Sequence, residues 1–329
     1  MAASVYDIVQ PPKDTKKTLT VALSARALFD LEKEDRVFQE RGLEAYIQYM
    51  VEREDDILPK GPAFEFVKSA LAVNDHIRDL DPKDIELFDI VIVSRNHAQA
   101  AIRLINSINH YGEGTDPTEY LGAWKVDLFL SPEEDDVRRA IQAGYPAAVV
   151  YKYDTAALPP HNELRIVFDG DAVLFSDEAE QVYQAGGFPL FFENESQKVS
   201  TPLDEGPMTK FAMRISALQQ KFHQKRVPCP IRTYLLTARS GASTGKRAIL
   251  TLRHWCLQID ECNFSAGAGK AAMLRAIRPH LYFDDSQKNI DAALQENVCA
   301  ARVLYGVQDK GATQKEHHNK NLSESNGEK

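Results

Sequence analysis

The sequence has few of the features that mark a secreted or membrane-spanning protein. Its four cysteines, Cys229, Cys256, Cys262 and Cys299, lack the spacing of a metal site, and we expect free thiols without a disulfide. No stretch approaches the roughly 18 consecutive apolar residues of a transmembrane helix. Residues 1–17 have neither the apolar core of a signal peptide nor the pattern of a transit peptide. We therefore predict a cytoplasmic protein with no membrane partner.

Basic residues are also fewer than acidic ones. The chain has 39 lysines and arginines against 48 aspartates and glutamates, a formal net charge of −9. This balance argues against a nucleic-acid backbone or an anionic membrane as the main partner, although a local basic pocket can still bind a small phosphate. The remaining composition, 43% hydrophobic and 26% charged over 329 residues, is ordinary for a globular protein and allows two domains.

The most informative pattern begins at Leu164. Five residues, LRIVF, predict a buried strand that runs into Asp169-Gly170-Asp171. Side chains two positions apart point the same way on an extended backbone, so Asp169 and Asp171 can converge on one site. Two crowded carboxylates need a cation, and a hard divalent ion such as Mg²⁺ takes oxygen ligands. The alternative is an ordinary turn after a strand, where Asp and Gly are common.

Three later segments favour the metal-site interpretation. An apolar run ends at Thr237, and a small-residue loop places Lys270 before a helix-like stretch. A third segment, HLYF, ends in Asp284-Asp285. Ligands gather at the carboxyl ends of the strands in an open parallel sheet, so we expect these groups to meet in one crevice. Taken singly, Thr237 is equally typical of a strand end, and Lys270 of a solvated helix start.

The loop before Lys270 has a second interpretation, a phosphate-binding P-loop. The sequence Gly267-Ala268-Gly269-Lys270 lacks the first glycine at the required spacing, and Ala271 stands where Ser or Thr is needed. We reject the P-loop for these two reasons.

The order Asp-x-Asp, Thr, Lys, Asp-Asp resembles the four-motif signature of the haloacid-dehalogenase-like superfamily of phosphotransferases. From about Leu19 to Val307 the chain is similar in particular to the cytosolic 5′-nucleotidase type I family, through the segments VFDGDAVLFSDE, CPIRTYLLTARS, SINHY and FDD. The resemblance implies an α/β fold with a haloacid-dehalogenase-like Rossmannoid parallel sheet and a small cap. It also implies a phosphomonoester hydrolase that uses Mg²⁺ and a nucleoside monophosphate substrate.

The resemblance assigns roles to the motif residues. Asp169 is expected to be the nucleophile that forms an aspartyl-phosphate. Asp171 is expected to protonate the leaving oxygen and later to take a proton from water. Thr237 and Lys270 are expected to hold phosphoryl oxygens. The expected Mg²⁺ ligands are Asp169, Asp171, Asp284 and Asp285.

Four further residues are candidates for substrate binding on weaker grounds. Arg239 and Ser240 follow Thr237, and Arg239 pairs either with phosphate or with a surface carboxylate. Asn96 and His97 follow a strand-like run in the first half and lie outside the superfamily motifs. A histidine in such a place is also common as a hydrogen-bonded structural residue, so both interpretations stay open.

The two halves of the chain match at an offset of 145 residues. We predict an internal duplication whose first half is a degenerate α/β repeat of similar topology without catalytic acids. The alternative is that two α/β units have similar patterns by chance. The aligned positions are Ala27 with Ala172, Gly61-Pro62 with Gly206-Pro207, Ser24-x-Arg26 with Asp169-x-Asp171 and, after small gaps, Ser131-Pro132 with Asp284-Asp285.

The expected segments are an N-terminal arm (1–17), the degenerate repeat (18–153), a linker (154–163), the catalytic domain (164–306) with a small cap at about 178–205, and a flexible tail (307–329). A cap of this length is a small lid. A nucleotide needs its base and ribose held as well as its phosphate, so either the first half or a second subunit must complete the pocket. A homo-oligomer is one assembly that would do so.

The first functional hypothesis is a 5′-nucleotidase that converts a nucleoside 5′-monophosphate, with AMP or IMP leading, into nucleoside and phosphate. The second is a related phosphatase of another small phosphate ester. The third is a nucleotide-binding sensor or interaction protein, against which the intact set of motif residues argues. The sequence leaves base preference, effectors, oligomeric state and pathway open.

Overall fold

A computed structural model describes residues 18–84, 87–93, 101–111, 126–153, 159–160, 162–307 and 309. The strands are β1 Leu19–Ser24, β2 Phe88–Val93, β3 Leu128–Ser131, β4 Ala147–Val150, β5 Leu164–Phe168, β6 Ile231–Thr237, β7 Glu261–Phe264, β8 Leu281–Asp284 and β9 Ala300–Arg302. The helices are α1 Ala25–Leu28, α2 Glu32–Val51, α3 Phe64–Leu80, α4 Ala101–Tyr111, α5 Glu134–Gln142, α6 Glu178–Gln197, α7 Thr209–Lys225, α8 Gly245–His254, α9 Ala271–Ile277 and α10 Gln287–Gln295. Within these ranges no helix combines the length and the apolar character needed to cross a bilayer.

The described strands form one sheet in the order β2-β1-β3-β4-β9-β8-β5-β6-β7. Neighbouring strands are parallel except β4 and β9, which pair antiparallel with Val149 opposite Arg302. The α/β class with a mostly parallel sheet is therefore confirmed. The antiparallel seam was not predicted. It arises because each half ends in an edge strand whose unpaired backbone groups need partners.

The two halves repeat one topology. The first half has the order β2-β1-β3-β4, and the second has β6-β5-β8-β9 with β7 added outside β6. Leu130 in β3 takes the position that Phe283 has in β8, so Ser131 stands where the second half has Asp284. The predicted degenerate repeat of similar topology is present, and it lacks the acid at this position.

Close backbone approach explains why Gly-Pro recurs at the same offset. A Cβ atom on Gly61 would lie 2.7 Å from the carbonyl carbon of Leu28. A Cβ atom on Gly206 would lie 2.4 Å from the carbonyl oxygen of Val173. Any larger residue would push these segments apart, so glycine is required at the equivalent place in each half.

The alignment of Ala27 with Ala172 is wrong by one residue. Phe29 forms an isolated antiparallel β-bridge with Lys60, and Phe175 forms the equivalent β-bridge with Glu205 in the second half. Phe29 and Phe175 are 146 positions apart, not 145. The second half therefore has one residue more between its first strand and this bridge. That longer loop is the one that carries Asp-Gly-Asp.

Helices α2 and α6 are interrupted in the same way. Gly42 has φ 79° and ψ −176°, and Gly187, 145 positions later, has φ 67° and ψ −162°. Helix α6 covers most of the predicted cap at 178–205. The cap segment is thus a long helix that turns at Gly187 and returns to the body of the protein, where Glu195 is buried.

An apolar core on one face of the sheet joins both halves, with buried residues from β1, β5, α3 and α7. Phe168 and Phe283 stack with ring centroids 5.4 Å apart, and Phe211 of α7 lies 6.2 and 6.0 Å from them. Burying such a side chain contributes about 1.5–3 kcal/mol. These contacts fix the ends of β5 and β8 side by side.

Candidate active site

The carboxyl ends of β5, β6 and β8 meet at one edge of the sheet, because β5 lies between the other two and all three are parallel. Asp169 directly follows β5, Thr237 ends β6, and Asp284 ends β8. Groups that follow parallel strands collect at the same edge. The fold therefore brings together residues from three of the predicted motifs.

A cluster of three carboxylates lies at this edge. Asp169, Asp284 and Asp285 are buried, and each offers an oxygen that lies within 4.8 Å of the other two. Carboxylate oxygens are the ligands that Mg²⁺ and similar hard cations prefer, so this donor set fits such an ion. Asp171, the fourth expected ligand, is not in this cluster, and its role as a ligand stays a prediction.

Lys270 reaches the cluster from the residue before α9. Its Nζ is 2.7 Å from Oδ2 of Asp169 and 2.6 Å from Oδ2 of Asp284, and its side chain is 5% exposed. Burying an ammonium group costs several kcal/mol unless it is paired, and the two carboxylates supply that pairing. Its contact with phosphate stays a prediction.

Burial and crowding perturb the acids of the cluster. Burial raises the pKa of Asp169 to about 8, while Lys270 opposes the shift and Asp284 adds to it. Burial, together with the charges of Asp169 and Asp284, raises the pKa of Asp285 to about 9. One lysine does not neutralise three buried acids. A divalent cation among their oxygens would favour the ionised forms.

Asp284 is oriented by several donors. The N–H of Ser286 donates to Oδ1 at 2.9 Å, and the side-chain amide of Asn289 donates to both oxygens at 3.1 Å. The hydroxyl of Tyr282 donates to Oδ2. Sequence reasoning missed Asn289, whose signal is its place in the first turn of the helix that follows β8. These hydrogen bonds to a charged acceptor hold the carboxylate in one orientation.

Gly170 allows the acidic loop to approach β6. Its N–H donates to Oδ1 of Asp169 at 2.6 Å. A Cβ atom at this position would lie 2.9 Å from Oγ1 of Thr237, too close for any other residue. The hydroxyl of Thr237 accepts the N–H of Arg239 at 3.2 Å. Thr237 is thus placed beside the Asp169 loop, and its contact with phosphate stays a prediction.

Asp171 faces Arg239 rather than the carboxylate cluster. Nε of Arg239 is 3.2 and 3.0 Å from the two carboxylate oxygens, and Nη2 is 2.7 Å from Oδ1. The 2% exposed Arg239 also pairs with Glu195 and donates to the carbonyl of Thr244 at 3.2 Å. Arg239 thus pairs with a carboxylate, as one of its two interpretations predicted. That carboxylate belongs to the motif residue Asp171 and not to a surface acid.

Ser240 lies in the turn before α8. Its N–H donates to Oγ1 of Thr244 at 3.0 Å, and its carbonyl accepts the N–H of Gly245 at 2.7 Å. These bonds fix the backbone that follows Thr237. A contact between Ser240 and substrate stays a prediction.

Asn96 and His97 lie outside the described residues. The strand before them ends at Val93, and β2 runs opposite to β5, so this end of β2 is at the other edge of the sheet from Asp169. β2 is also six strands away from β5, roughly 30 Å at about 4.8 Å per strand. Within one chain, β2 therefore ends far from the carboxylate cluster.

Sequence reasoning also missed two buried charges behind Arg239. Nη1 of Arg247 is 2.8 Å from Oε1 of Glu195, whose other oxygen meets Arg239, and both side chains are 2% exposed. Glutamate and arginine are almost never fully buried unless paired. Nothing in the local sequence marks Glu195, because its partners are distant in the chain.

A parallel α/β sheet that gathers three carboxylates and a lysine at its carboxyl edge is an arrangement of metal-dependent phosphatases. The profile of the 5′-nucleotidase family matches residues 11–310, and the chain belongs to this family. Cytosolic 5′-nucleotidase 1B of Homo sapiens is 43% identical over 311 residues, which are 91% of this chain and 50% of that protein. The chain thus spans about half the length of this curated relative. No solved structure matches it significantly.

Proposed function

We propose that the chain is a Mg²⁺-dependent 5′-nucleotidase of the cytoplasm that hydrolyses nucleoside 5′-monophosphates, AMP or IMP first, to nucleoside and phosphate. The observation that carries the proposal is Lys270 within 2.7 Å of both Asp169 and Asp284 at the carboxyl edge of the sheet. Membership of the 5′-nucleotidase family supports the reaction. A relative named cytosolic 5′-nucleotidase supports the substrate class and the compartment.

The first step transfers the phosphoryl group to Asp169. A carboxylate oxygen of Asp169 bonds to phosphorus while the bond between phosphorus and the 5′-oxygen breaks. Asp171 gives a proton to the departing oxygen, so the nucleoside leaves as a neutral alcohol. Phosphate monoesters need accelerations of up to about 10²¹-fold, and covalent catalysis divides that barrier into two smaller ones.

The second step is hydrolysis of the aspartyl-phosphate. Asp171, now ionised, takes a proton from water, and the water oxygen bonds to phosphorus. The bond between phosphorus and Asp169 breaks, which releases phosphate and restores the carboxylate. Water is the only co-reactant that this sequence of steps requires.

The remaining groups hold and neutralise charge. Lys270 and Thr237 are proposed to contact phosphoryl oxygens, and Arg239 and Ser240 are proposed as weaker contacts to the substrate. Bound Mg²⁺ would supply positive charge next to the phosphoryl group. The proposed Mg²⁺ ligands are Asp169, Asp171, Asp284 and Asp285.

Phosphate release from a panel of substrates tests this function. With Mg²⁺, kcat/KM for nucleoside 5′-monophosphates should exceed that for sugar phosphates and for nucleoside 3′-monophosphates. The 3′ isomers are matched controls because they carry the same groups at another position. Faster release from a sugar phosphate would favour a related phosphatase. Nucleotide binding without phosphate release would favour a sensor.

We also propose that a second copy of the chain completes the nucleotide pocket. The cap is short, and β2 ends away from Asp169 within one chain. From the place where β2 ends, we propose that Asn96 and His97 contact the nucleotide bound to another subunit. The proposed division into units 18–153 and 164–306 suits such sharing, because one unit would contribute the acids and the other would contribute nucleotide contacts.

Asn96→Ala or His97→Ala should raise KM for nucleotides about tenfold, the effect of about 1.4 kcal/mol of lost hydrogen bonding. KM for p-nitrophenyl phosphate should change little, because only the nucleotide has a base and ribose to lose. Mixing Asn96→Ala with inactive Asp169→Asn protein should restore a normal KM, since one shared site then has both native residues. An equal effect on both substrates, or no recovery on mixing, would contradict the shared pocket.

A further inference from the structure

The two halves share a buried arginine at the same place in the repeat. Arg103 of α4 donates its Nε–H to the carbonyl of Asp56 at 2.8 Å. Arg247 of α8 donates its Nε–H to the carbonyl of Thr201 at 2.9 Å. Asp56 and Thr201 are 145 positions apart, the offset that also relates the interrupted helices.

The neighbouring hydrogen bonds repeat as well. The N–H of Leu58 donates to the hydroxyl of Ser107 at 2.9 Å, and the N–H of Leu203 donates to the hydroxyl of Thr251 at 2.9 Å. Each hydroxyl donates to the carbonyl of the arginine one turn earlier, at 2.8 and 2.9 Å. The halves thus share individual buried hydrogen bonds.

One position in this arrangement differs in charge. Nη1 of Arg103 lies 3.9 Å from Sδ of Met50 and pairs with Glu34 at 2.7 Å. In the second half, the residue 145 positions after Met50 is Glu195, and Nη1 of Arg247 lies 2.8 Å from its Oε1. In the first half Glu34 supplies the carboxylate, whereas Ala179 stands 145 positions after Glu34, so in the second half Glu195 and Glu178 pair with the arginine. Glu195 differs from Glu34 because its other oxygen also pairs with Arg239.

Glu195 connects the scaffold to Asp171. Its Oε2 pairs with Nη1 of Arg239, and Nε and Nη2 of Arg239 hold both oxygens of Asp171. The side chains of Arg247, Glu195 and Arg239 are at most 2% exposed. The corresponding loop of the first half, Ser24-Ala25-Arg26, has no carboxylate. The glutamate that reaches Arg239 and the second loop acid thus occur together, in the half that has the carboxylate cluster.

We propose that Glu195 is a positioning residue for proton transfer by Asp171, a role that rests on the proposed function. A buried guanidinium must have its donors satisfied, and Arg239 divides its donors between Asp171 and Glu195. The ion pair between Glu195 and Nη1 fixes the orientation of the Arg239 guanidinium. The opposite side of the guanidinium, Nε and Nη2, then holds both carboxylate oxygens of Asp171. Without Glu195, Arg239 can rotate, and the carboxylate of Asp171 rotates with it.

The same contacts tie Asp171 to helix α6. Glu178 is the first residue of α6 and Glu195 lies in its last turn, and Arg247 pairs with them at 3.1 and 2.8 Å. One arginine thus holds both ends of the cap helix. A displacement of α6 that takes Glu195 away from Arg239 also releases Asp171, so the seated cap and the oriented carboxylate go together.

Glu195→Met tests the role: it places at this position the residue type that contacts Arg103 in the first half, and Glu178 still pairs with Arg247. For the nucleoside monophosphate with the highest kcat/KM, kcat should fall about 30-fold, while KM changes less than about threefold, as expected for a misplaced general acid. The leaving group of p-nitrophenyl phosphate is a stable anion that needs little protonation. In single turnovers with enzyme in excess, p-nitrophenolate release should therefore slow less than about threefold, whereas nucleoside release should slow about 30-fold. Steady-state kcat falls for both substrates, because Asp171 also activates water in the second step that they share. A purely structural role would not separate the two substrates.

Glu34→Gln is the matched control. It breaks the buried ion pair of Arg103 in the first half, which has no contact with Asp171. Its Tm should fall about as much as that of Glu195→Met, with wild-type kcat. Glu195→Gln removes the charge and keeps the shape of the side chain, and it should also lower kcat for the nucleotide. It replaces Glu195→Met if that variant does not fold. Equal losses of the single-turnover rate on both substrates, or wild-type nucleotide kcat in the folded variants, would overturn the proposal.

Asp171→Asn, assayed in parallel, separates this inference from the proposed function. Wild-type nucleotide turnover in Asp171→Asn would mean that the proposed mechanism itself fails. Loss of turnover in Asp171→Asn with unchanged turnover in both Glu195 variants would remove only the positioning role. Loss of nucleotide turnover in Asp171→Asn and in both Glu195 variants, together with the difference between the two substrates in single turnovers, supports both the mechanism and the positioning role.

Discussion

Asp169→Asn should lower kcat for nucleoside monophosphates by at least about 10³-fold, because an amide cannot replace the carboxylate that attacks phosphorus. The fold should survive. Burial already raises the pKa of Asp169 to about 8, so a neutral side chain of the same shape suits this position. Phosphate release measured together with Tm and circular dichroism checks both parts of this expectation.

Asp171→Asn is the matched variant, since it removes proton transfer and leaves the nucleophile. With p-nitrophenyl phosphate it should release about one p-nitrophenolate per chain in a rapid burst and then turn over slowly, because the aspartyl-phosphate accumulates. Asp169→Asn should show no burst. Near-wild-type turnover of Asp169→Asn, or a burst from it, would show that Asp169 is not the nucleophile.

Removal of divalent cations is expected to abolish turnover, and Mg²⁺ is expected to restore it. Three carboxylate oxygens within 4.8 Å repel one another, and Lys270 alone cannot neutralise them. Ca²⁺ is a useful control because it takes the same ligands with a larger and less regular coordination shell, so it should bind without full activity. Full turnover in a metal-free preparation would refute the metal requirement.

Removal of divalent cations should also make the free energy of unfolding depend on pH. The pKa of Asp169 is about 8 and that of Asp285 about 9 in the folded state, against about 3.9 for an unfolded aspartate. The folded state therefore binds protons more tightly, and these acids reduce stability as pH rises from about 4 to about 9. Mg²⁺ favours the ionised forms, so it should raise Tm more at pH 8 than at pH 5. An equal gain in Tm at both pH values would contradict this linkage.

The sequence could locate the motif residues because each one ends or follows an apolar strand. β5, β6 and β8 are parallel neighbours, so Asp169, Thr237 and Asp284 must meet at one edge. The partner of Asp171 was harder to predict. The rule that places side chains two apart on one side assumes an extended strand, and β5 already ends at Phe168, before Asp169.

The sequence could not predict the ion pairs of Glu195 or the pairing of the two halves, because both depend on contacts between segments that are distant in the chain. Glu195 meets Arg239 only because α6 turns at Gly187 and returns. β9 is a three-residue strand, too short to show a hydrophobic pattern, and its sequence does not indicate that it pairs with β4. Local patterns predict elements, whereas pairing between edges is decided by the whole fold.

The antiparallel seam has a consequence for how the chemistry of the two halves is separated. Because β4 and β9 run in opposite directions, the clefts at the carboxyl edges of the two halves open in opposite directions. In the first of them, Arg26 is neutralised by Asp35 and Glu133 of its own half. The charge of Arg26 is therefore balanced within the first half. The first half thus supplies part of the sheet, while the carboxylate cluster found among the described residues lies in the second.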